Sequence, residues 1–350
     1  MCIRDRYIDT EFVRRTTFYP QLGLLQISDG ETHCLVDPTT ITEWQPLKTL
    51  FEDERIVKVM HSASEDIDVF ASAINAVPKP LFDTQIACGL AGVGAGLGFA
   101  KMVEHFTGTV LDKGETTSDW LARPLTEKQC QYAVADVALL SPCYLALKDT
   151  LADQQRLAWV MEDSQRLIDK HVCFWPAEAM YTRVKGIGRV SPSKLVYARA
   201  IAAWREEQAK KLDRPRSRVL KDSDLIAIAK RQPQHIAQIP QSDSLGHGWL
   251  KRFGEQVLSV IQQASEESND NWPSPIKELN SSQKQRLNAL RDSLVPIAEK
   301  LAIESSALAS KKDLQTLVVP QSEQAELFQG WRQQALAPML AQVQTANVSD

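Results

Sequence analysis

The sequence predicts an α/β mixed-sheet domain with helices on both faces, followed by two all-α modules. Three observations predict it. Strand-like and helix-like segments intermix through roughly the first 165 residues, with an antiparallel start. Beyond about residue 165 no strand-like run remains. The helical remainder then repeats its own order of elements. A length of 350 residues is ample for two or three domains, and 43% hydrophobic with 24% charged residues is ordinary for a globular chain.

Residues 7–12 read as the first strand. Side chains alternate faces along a strand, so Asp9 and Glu11 project together while Thr10 and Phe12 point the other way. Residues 23–28 form a second strand, closed by the hairpin pair Asp29-Gly30, and residues 33–37 are its partner. A short helix is expected over 44–51, and a buried strand of β-branched character over 56–61. Ser64 stands where a cap is needed for the helix carrying Asp66, Ile67, Val69, Phe70 and Ile74. Residues 81–84 are a short strand, and Asp83 suits the N-cap of the helix from Gln85. Gly92, Gly94, Gly96 and Gly98 make a loose loop, because no strand enters it at the spacing of a phosphate-binding fingerprint. A helix over 99–106 follows, and Thr126 caps the last helix of the domain, whose apolar stripe is Cys130, Ala133, Val134, Val137 and Leu140.

In the tail, a helix over 193–212 precedes Asp224-Leu225 and Gly248-Trp249. A helix over 282–301 precedes Asp313-Leu314 and Gly330-Trp331 in the same order. The expected divisions are 1–165 for the α/β domain, 166–189 for a connector and 190–268 for the first helical module. A linker over 269–275 and the second module over 276–350 complete them. Residues 185–221 hold eleven cations, among them Lys210, Lys211, Arg214 and Arg216, against Glu206, Glu207 and Asp213. Such a run is either a solvated helix face or a nucleic-acid contact, and its confinement to one module of a chain with net charge −4 favours the second.

The six cysteines include no C-x-x-C pair and the six histidines no H-E-x-x-H, which excludes the common thiolate and zinc-helix motifs. No apolar run approaches bilayer length and no signal-peptide core is present, so the expected setting is the reducing cytoplasm. Residues 1–6 read as non-native sequence, with the true N-terminus missing or replaced.

A lone Asp9-x-Glu11 is either a strand edge facing water or half of a metal site. Asp66, near a helix start, and Asp136, on the last helix of the domain, can reach the same point. Tyr132 lies one turn before Asp136 on the same helix face. Asp136 sits among Ala133, Val134, Ala135, Val137 and Ala138, where an unneutralised acid costs roughly several kcal/mol. A capping or salt-bridged role is its alternative. Four gathered carboxylates raise one another's pKa unless divalent cations fill the space between them. Hard oxygen ligands suit Mg²⁺ or Mn²⁺, and two such ions about 4 Å apart activate a water and stabilise a leaving oxygen.

These residues, in this order, resemble the DEDD superfamily of 3′→5′ exonucleases in its tyrosine-containing branch, and within it the bacterial ribonuclease D family. The resemblance rests on Asp9-Thr10-Glu11-Phe12-Val13-Arg14, Tyr19-Pro20-Gln21-Leu22-Gly23-Leu24 and His61-Ser62-Ala63-Ser64-Glu65-Asp66. It extends to Phe82-Asp83-Thr84-Gln85, Ser118-Asp119-Trp120-Leu121-Ala122-Arg123-Pro124-Leu125 and Tyr132-x-x-x-Asp136. The helical modules are similar to the paired HRDC domains of that family. At its start the chain departs from the pattern, lacking the strand and helix that precede the acidic strand in the family; their loss would leave an apolar sheet edge open.

The resemblance implies a ribonuclease H-like sheet and two metal ions held by Asp9, Glu11, Asp66 and Asp136, with Tyr132 positioning the water. It implies an exoribonuclease whose helical modules hold the RNA body. The substrates implied are precursor tRNAs and small structured RNAs, cut to nucleoside 5′-monophosphates. Apart from the resemblance, the sequence shows no sign of a membrane or of an obligatory protein partner. Gln26, beside the acidic pair, is a candidate substrate contact. Trp120 is either a base-stacking or a core residue, and Arg123 is a candidate phosphate contact. Phe18 and Tyr19 are candidates to wedge against the terminal base. Competing readings are a DNA-directed exonuclease of the superfamily and a non-catalytic RNA-binding protein.

Overall fold

The computed structural model describes residues 5–111, 114–115, 117–170, 176–268, 272–273, 279–319 and 328–341. Residues 1–4, most of the 269–275 linker and residues 171–175 of the connector lie outside them. The chain forms two compact units, one of Met1–Val13, Leu22–His171 and Leu279–Asp350, the other of Arg14–Gln21 and Val172–Glu278. These compact units group the segments differently from the sequence-based divisions on two points. The last helical segment is part of the same unit as the α/β domain, and the segment after the first strand belongs to the helical unit.

The sheet runs β3 (His33–Val36), β2 (Gln21–Ser28), β1 (Arg6–Val13), β4 (Lys58–Met60), β5 (Leu81–Asp83), which makes the acidic strand central. β2 and β3 are antiparallel with Gln26 opposite Leu35, whereas β1–β4 and β4–β5 are parallel. The sheet is therefore mixed. Helices α1 (Gln45–Glu52), α2 (Ser64–Ile74), α3 (Thr84–Ala91), α4 (Phe99–Thr107), α5 (Glu127–Asp153) and α6 (Leu157–Asp169) surround it.

Alternation along β1 sends Tyr7 into the cluster of α3, α4 and α5, where its ring lies 5.8 Å from Tyr144. Ile8 goes to the opposite cluster, with Phe51 of α1 and Phe70 of α2. Both are completely buried, so both faces of the central strand are covered.

α5 begins with a capping box, Thr126 and Gln129 each accepting from the other's backbone N–H. Its buried residues Ala133, Val137, Leu140, Tyr144, Leu147 and Leu151 form a stripe at helical spacing. The expectation that no segment has bilayer length needs correction. α5 spans 27 residues and by length and composition alone is apolar enough to cross a bilayer. It is the core helix of this unit, apolar because it packs on β1, β3 and β4.

Ser64 does not cap α2. The N-cap residue is Ala63, without a side-chain bond. The carboxylate of Asp83 instead accepts from Ser62 N at 3.2 Å and Ala63 N at 2.8 Å, while also capping α3 through Gln85 N and Ile86 N. One buried acid thus anchors two helix starts.

Also in this unit are α11 (Ser281–Leu301), α12 (Ser305–Leu308), α13 (Lys311–Val318) and α14 (Trp331–Ala335). They dock on α6. Trp331 stacks on Trp159 at 4.3 Å between centroids, and the buried Arg332 bonds both oxygens of Asp163. Gly92 permits close approach, since a Cβ there would lie 2.3 Å from the Ala302 carbonyl oxygen.

The second unit contains α7 (Pro192–Leu212), α8 (Arg216–Val219), α9 (Asp222–Arg231) and α10 (His247–Ser265). Leu195, Ala198, Ile201, Leu225, Ile228, Val257 and Ile261 form its core. The repeat seen in the sequence corresponds to a repeated order of elements. A long helix ends on a left-handed residue, Asp213 or Ala302, and a four-residue helix, a short helix and a Gly-Trp helix follow.

Candidate active site

Asp9, Glu11 and Asp136 come together, each offering an oxygen within 4.8 Å of the others. β1 supplies the first two from one face, and the α5 stripe facing that side of the sheet supplies the third. Asp66, at the start of α2, approaches from the other face. Its carboxylate accepts a short hydrogen bond from the hydroxyl of Thr10, whose side chain alternates away from Asp9 and Glu11. Three of the four expected acids therefore form the tight cluster, and the fourth is held beside it through Thr10.

Burial and mutual repulsion shift the ionisation of all these acids in one direction. Burial, with the charges of Asp136 and Asp66, lifts Glu11 to about 8. Burial lifts Asp66 and Asp136 to about 7 each. Asp9 is raised well above the ordinary range by burial and by Asp66, Asp136 and Glu11. Burial and the same acids raise the phenol of Tyr132, so its hydroxyl keeps its proton. Hard oxygen donors crowded in this way fit a divalent cation, which removes the repulsion that protons otherwise relieve.

A cavity of about 550 Å³ opens beside Tyr132 and Asp136, lined also by Leu111, Glu115, Lys128 and Gln131. Thr10, Lys128 and Gln131 were missed from the sequence. The spacing 128, 131, 132, 136 is one helix face, and that signal was available. His61 is half-buried, its Nδ1 2.9 Å from the Thr84 hydroxyl, and burial lowers its pKa.

Two sequence-based substrate contacts, Gln26 and Arg123, are corrected, and the open alternative at Trp120 is decided for the core. Gln26 is completely buried with no exposed surface to offer a substrate. Trp120 is a core residue, 2% exposed and packed with Leu24 and Ala133. Gly23 lies so close to it that a Cβ would meet the Trp120 carbonyl oxygen at 2.6 Å. Arg123 is engaged internally. It pairs with both oxygens of Asp37 at 2.7 Å and donates to the carbonyls of Gly23 and Trp120, binding its loop to the sheet.

In the helical unit Arg216 is bidentate on the buried Glu206 and sits 4.8 Å over the ring of Phe18. Lys210 pairs with Glu207 at 3.6 Å. Lys211 and Arg214 are exposed. Phe18 is buried against Ala209 and Val219, and the Asp213 carboxylate accepts from Phe18 N and Tyr19 N at 3.0 Å each.

The acidic cluster on a central strand, completed by a tyrosine-bearing helix, has the donor set of a divalent-cation site, the class of site a metal-assisted hydrolase requires. The profile of the 3′-5′ exonuclease family matches residues 5–152, and that of the HRDC domain matches residues 195–261. Ribonuclease D of Shewanella sp. (strain ANA-3) is 36% identical over 341 residues, covering 96% of this chain and 88% of that one. Ribonuclease D of Pseudomonas paraeruginosa is 36% identical over 95% of this chain and 90% of its own. The crystal structure of Escherichia coli RNase D, an exoribonuclease involved in structured RNA processing, superposes with a TM-score of 0.89 at 32% identity. That match covers 98% of this chain and 94% of the other. The chain belongs to the ribonuclease D family and is a 3′–5′ exoribonuclease.

Proposed function

We propose that the enzyme removes nucleotides singly from the 3′ ends of precursor tRNAs and other small structured RNAs, releasing nucleoside 5′-monophosphates. The observation that carries this reading is the convergence of Asp9, Glu11 and Asp136 beside the protonated phenol of Tyr132. Together with Asp66 they would hold two divalent ions, Mg²⁺ or Mn²⁺. When bound, such ions activate a water and stabilise the oxygen leaving phosphorus.

The protein's own share is positional. β1 and α5 set the carboxylates, and the Thr10 hydroxyl fixes Asp66. Tyr132 orients the attacking water through its hydroxyl. The RNA body falls to the helical unit, with exposed Lys211 and Arg214 as contacts. The repeated order of elements from α11 to α14 supports a second HRDC-like module. The setting proposed is the cytoplasm, with no membrane and no obligatory protein partner.

Incubation with a 3′-extended tRNA is expected to yield mononucleotides with Mg²⁺ or Mn²⁺ and none after EDTA. Failure with both metals would refute the reading, and faster cutting of single-stranded DNA than of RNA of equal length would redirect it to DNA. Tyr132→Phe is expected to slow single-turnover hydrolysis by on the order of 10- to 100-fold, the cost of a misplaced reactant, with metal affinity nearly unchanged. A wild-type rate in that variant would remove the tyrosine from the mechanism.

A further inference from the structure

Within the helical unit, a cavity of about 510 Å³ is lined by Arg183, Arg205, Arg216, Ser217, Lys221 and Asp222. Four cations thus face one acid among these residues. Arg205 is nearly inaccessible, and its Nη1 donates to the Leu220 carbonyl at 3.0 Å and to Asp222 Oδ1 at 2.6 Å. Its buried Nε has no acceptor among the described residues. The second oxygen of Asp222 accepts from Lys185 N at 2.9 Å, so both oxygens of the one lining acid are engaged.

Arg216 is neutralised by Glu206 and held flat over Phe18, which fixes its guanidinium as part of the wall. Lys221 is exposed and bonded to no acid among the described residues, and Ser217 adds an exposed hydroxyl. Rigid guanidinium groups in the wall, an unneutralised ammonium and a hydroxyl are the complement of a tetrahedral oxyanion.

We infer that this cavity is a phosphate site, separate from the acidic cluster, that takes a backbone phosphodiester of the bound RNA. The inference rests on the reading that the helical unit holds the RNA body. The surface around it favours a polymer over a free anion. Exposed Lys211, Arg214 and Arg218 continue the positive charge along the same stretch of chain. Tyr19 is 38% exposed, set edge-on against Phe18 and fixed through Asp213, and it offers an aromatic face beside those cations. Cations in series with an exposed ring track a nucleic-acid strand.

The test is binding of a labelled 3′-extended tRNA to the full chain, held in EDTA to prevent cutting, across a range of salt concentrations. Lys221→Ala is expected to weaken binding about three- to tenfold and to lower the salt slope by about 1, the mark of one lost phosphate contact. Arg183→Ala with Lys221→Ala is expected to lower both further. Lys230→Ala, which removes an exposed cation of α9 outside the cavity, is expected to leave both unchanged.

Wild-type affinity and slope in the folded Lys221→Ala and double variants would overturn the cavity site. Equal losses from Lys230→Ala and Lys221→Ala would also overturn it, because a diffuse positive field would then hold the RNA. Inorganic phosphate that raises Tm through Lys221 without competing with tRNA would reassign the cavity to a free anion. If Lys211→Ala with Arg214→Ala is silent as well, the reading of the helical unit itself fails, which separates the two.

Discussion

Asp136→Asn is expected to leave RNA bound and almost uncut. The substitution keeps the shape of the side chain and removes one of the three carboxylates that converge on one point. Metal-borne stabilisation of the developing charge contributes several kcal/mol, and each 1.36 kcal/mol is a tenfold change in rate. Turnover should therefore fall by on the order of 10³-fold or more. Asp9→Asn should behave alike, because the same oxygen cluster loses a member. Single-turnover rates and tRNA affinity, measured on one preparation, separate chemistry from binding. Affinity falling in proportion to the rate would show that these acids hold the fold rather than the metal.

The metal-free enzyme is expected to lose stability as pH rises from about 4 to about 8. Folding lifts Glu11 to about 8 and Asp66 and Asp136 to about 7, with Asp9 also raised, all above their unfolded values near 4. Below about pH 4 both states carry these protons and the stability is fully present. Across the window the unfolded chain ionises freely while the folded chain keeps its protons, so stability falls until the folded values are passed. The acids titrate together, so the loss belongs to the cluster and not to any one member.

Divalent cations reverse the balance by binding the ionised folded form. Added Mn²⁺ or Mg²⁺ should thus raise Tm far more at pH 8 than at pH 5, and Glu11→Gln should flatten the metal-free profile. The Arg123 partner Asp37, held well below the usual carboxylate range, acts in the opposite sense and only at lower pH, outside this window. A metal-free Tm that stays level from pH 5 to 8, unaltered in Glu11→Gln, would show that the acids are not repelling one another in the folded state.

Much of the site was legible because it depends on local periodicity. The two-residue repeat of a strand pairs Asp9 with Glu11, and the turn of a helix pairs Tyr132 with Asp136. The same repeat also sends Thr10 to the far face, but nothing local shows that Asp66 waits there to accept its hydroxyl. Arg123 and Gln26 misled, and Trp120 stayed open, for a related reason. An aromatic, a cation and an amide near an acidic strand have the chemistry of substrate contacts. Whether they meet solvent depends on Gly23, Asp37 and the helix packed above, far away in sequence. Arg216 looked like one more cation of a basic run until Glu206 and Phe18 were seen against it.

By itself the sequence determined which acids and which tyrosine could share one site and which face of its element each one occupies, because spacing along a strand or helix dictates direction. Only the tertiary structure decided which faces meet. It put β1 at the centre of the sheet, brought α5 to one side and α2 to the other, and set the last four helices on α6 through Trp331 and Arg332. Those choices follow from burying apolar surface between segments distant in the chain. That energy is non-directional and shared over many contacts, and it leaves no signature at any single position.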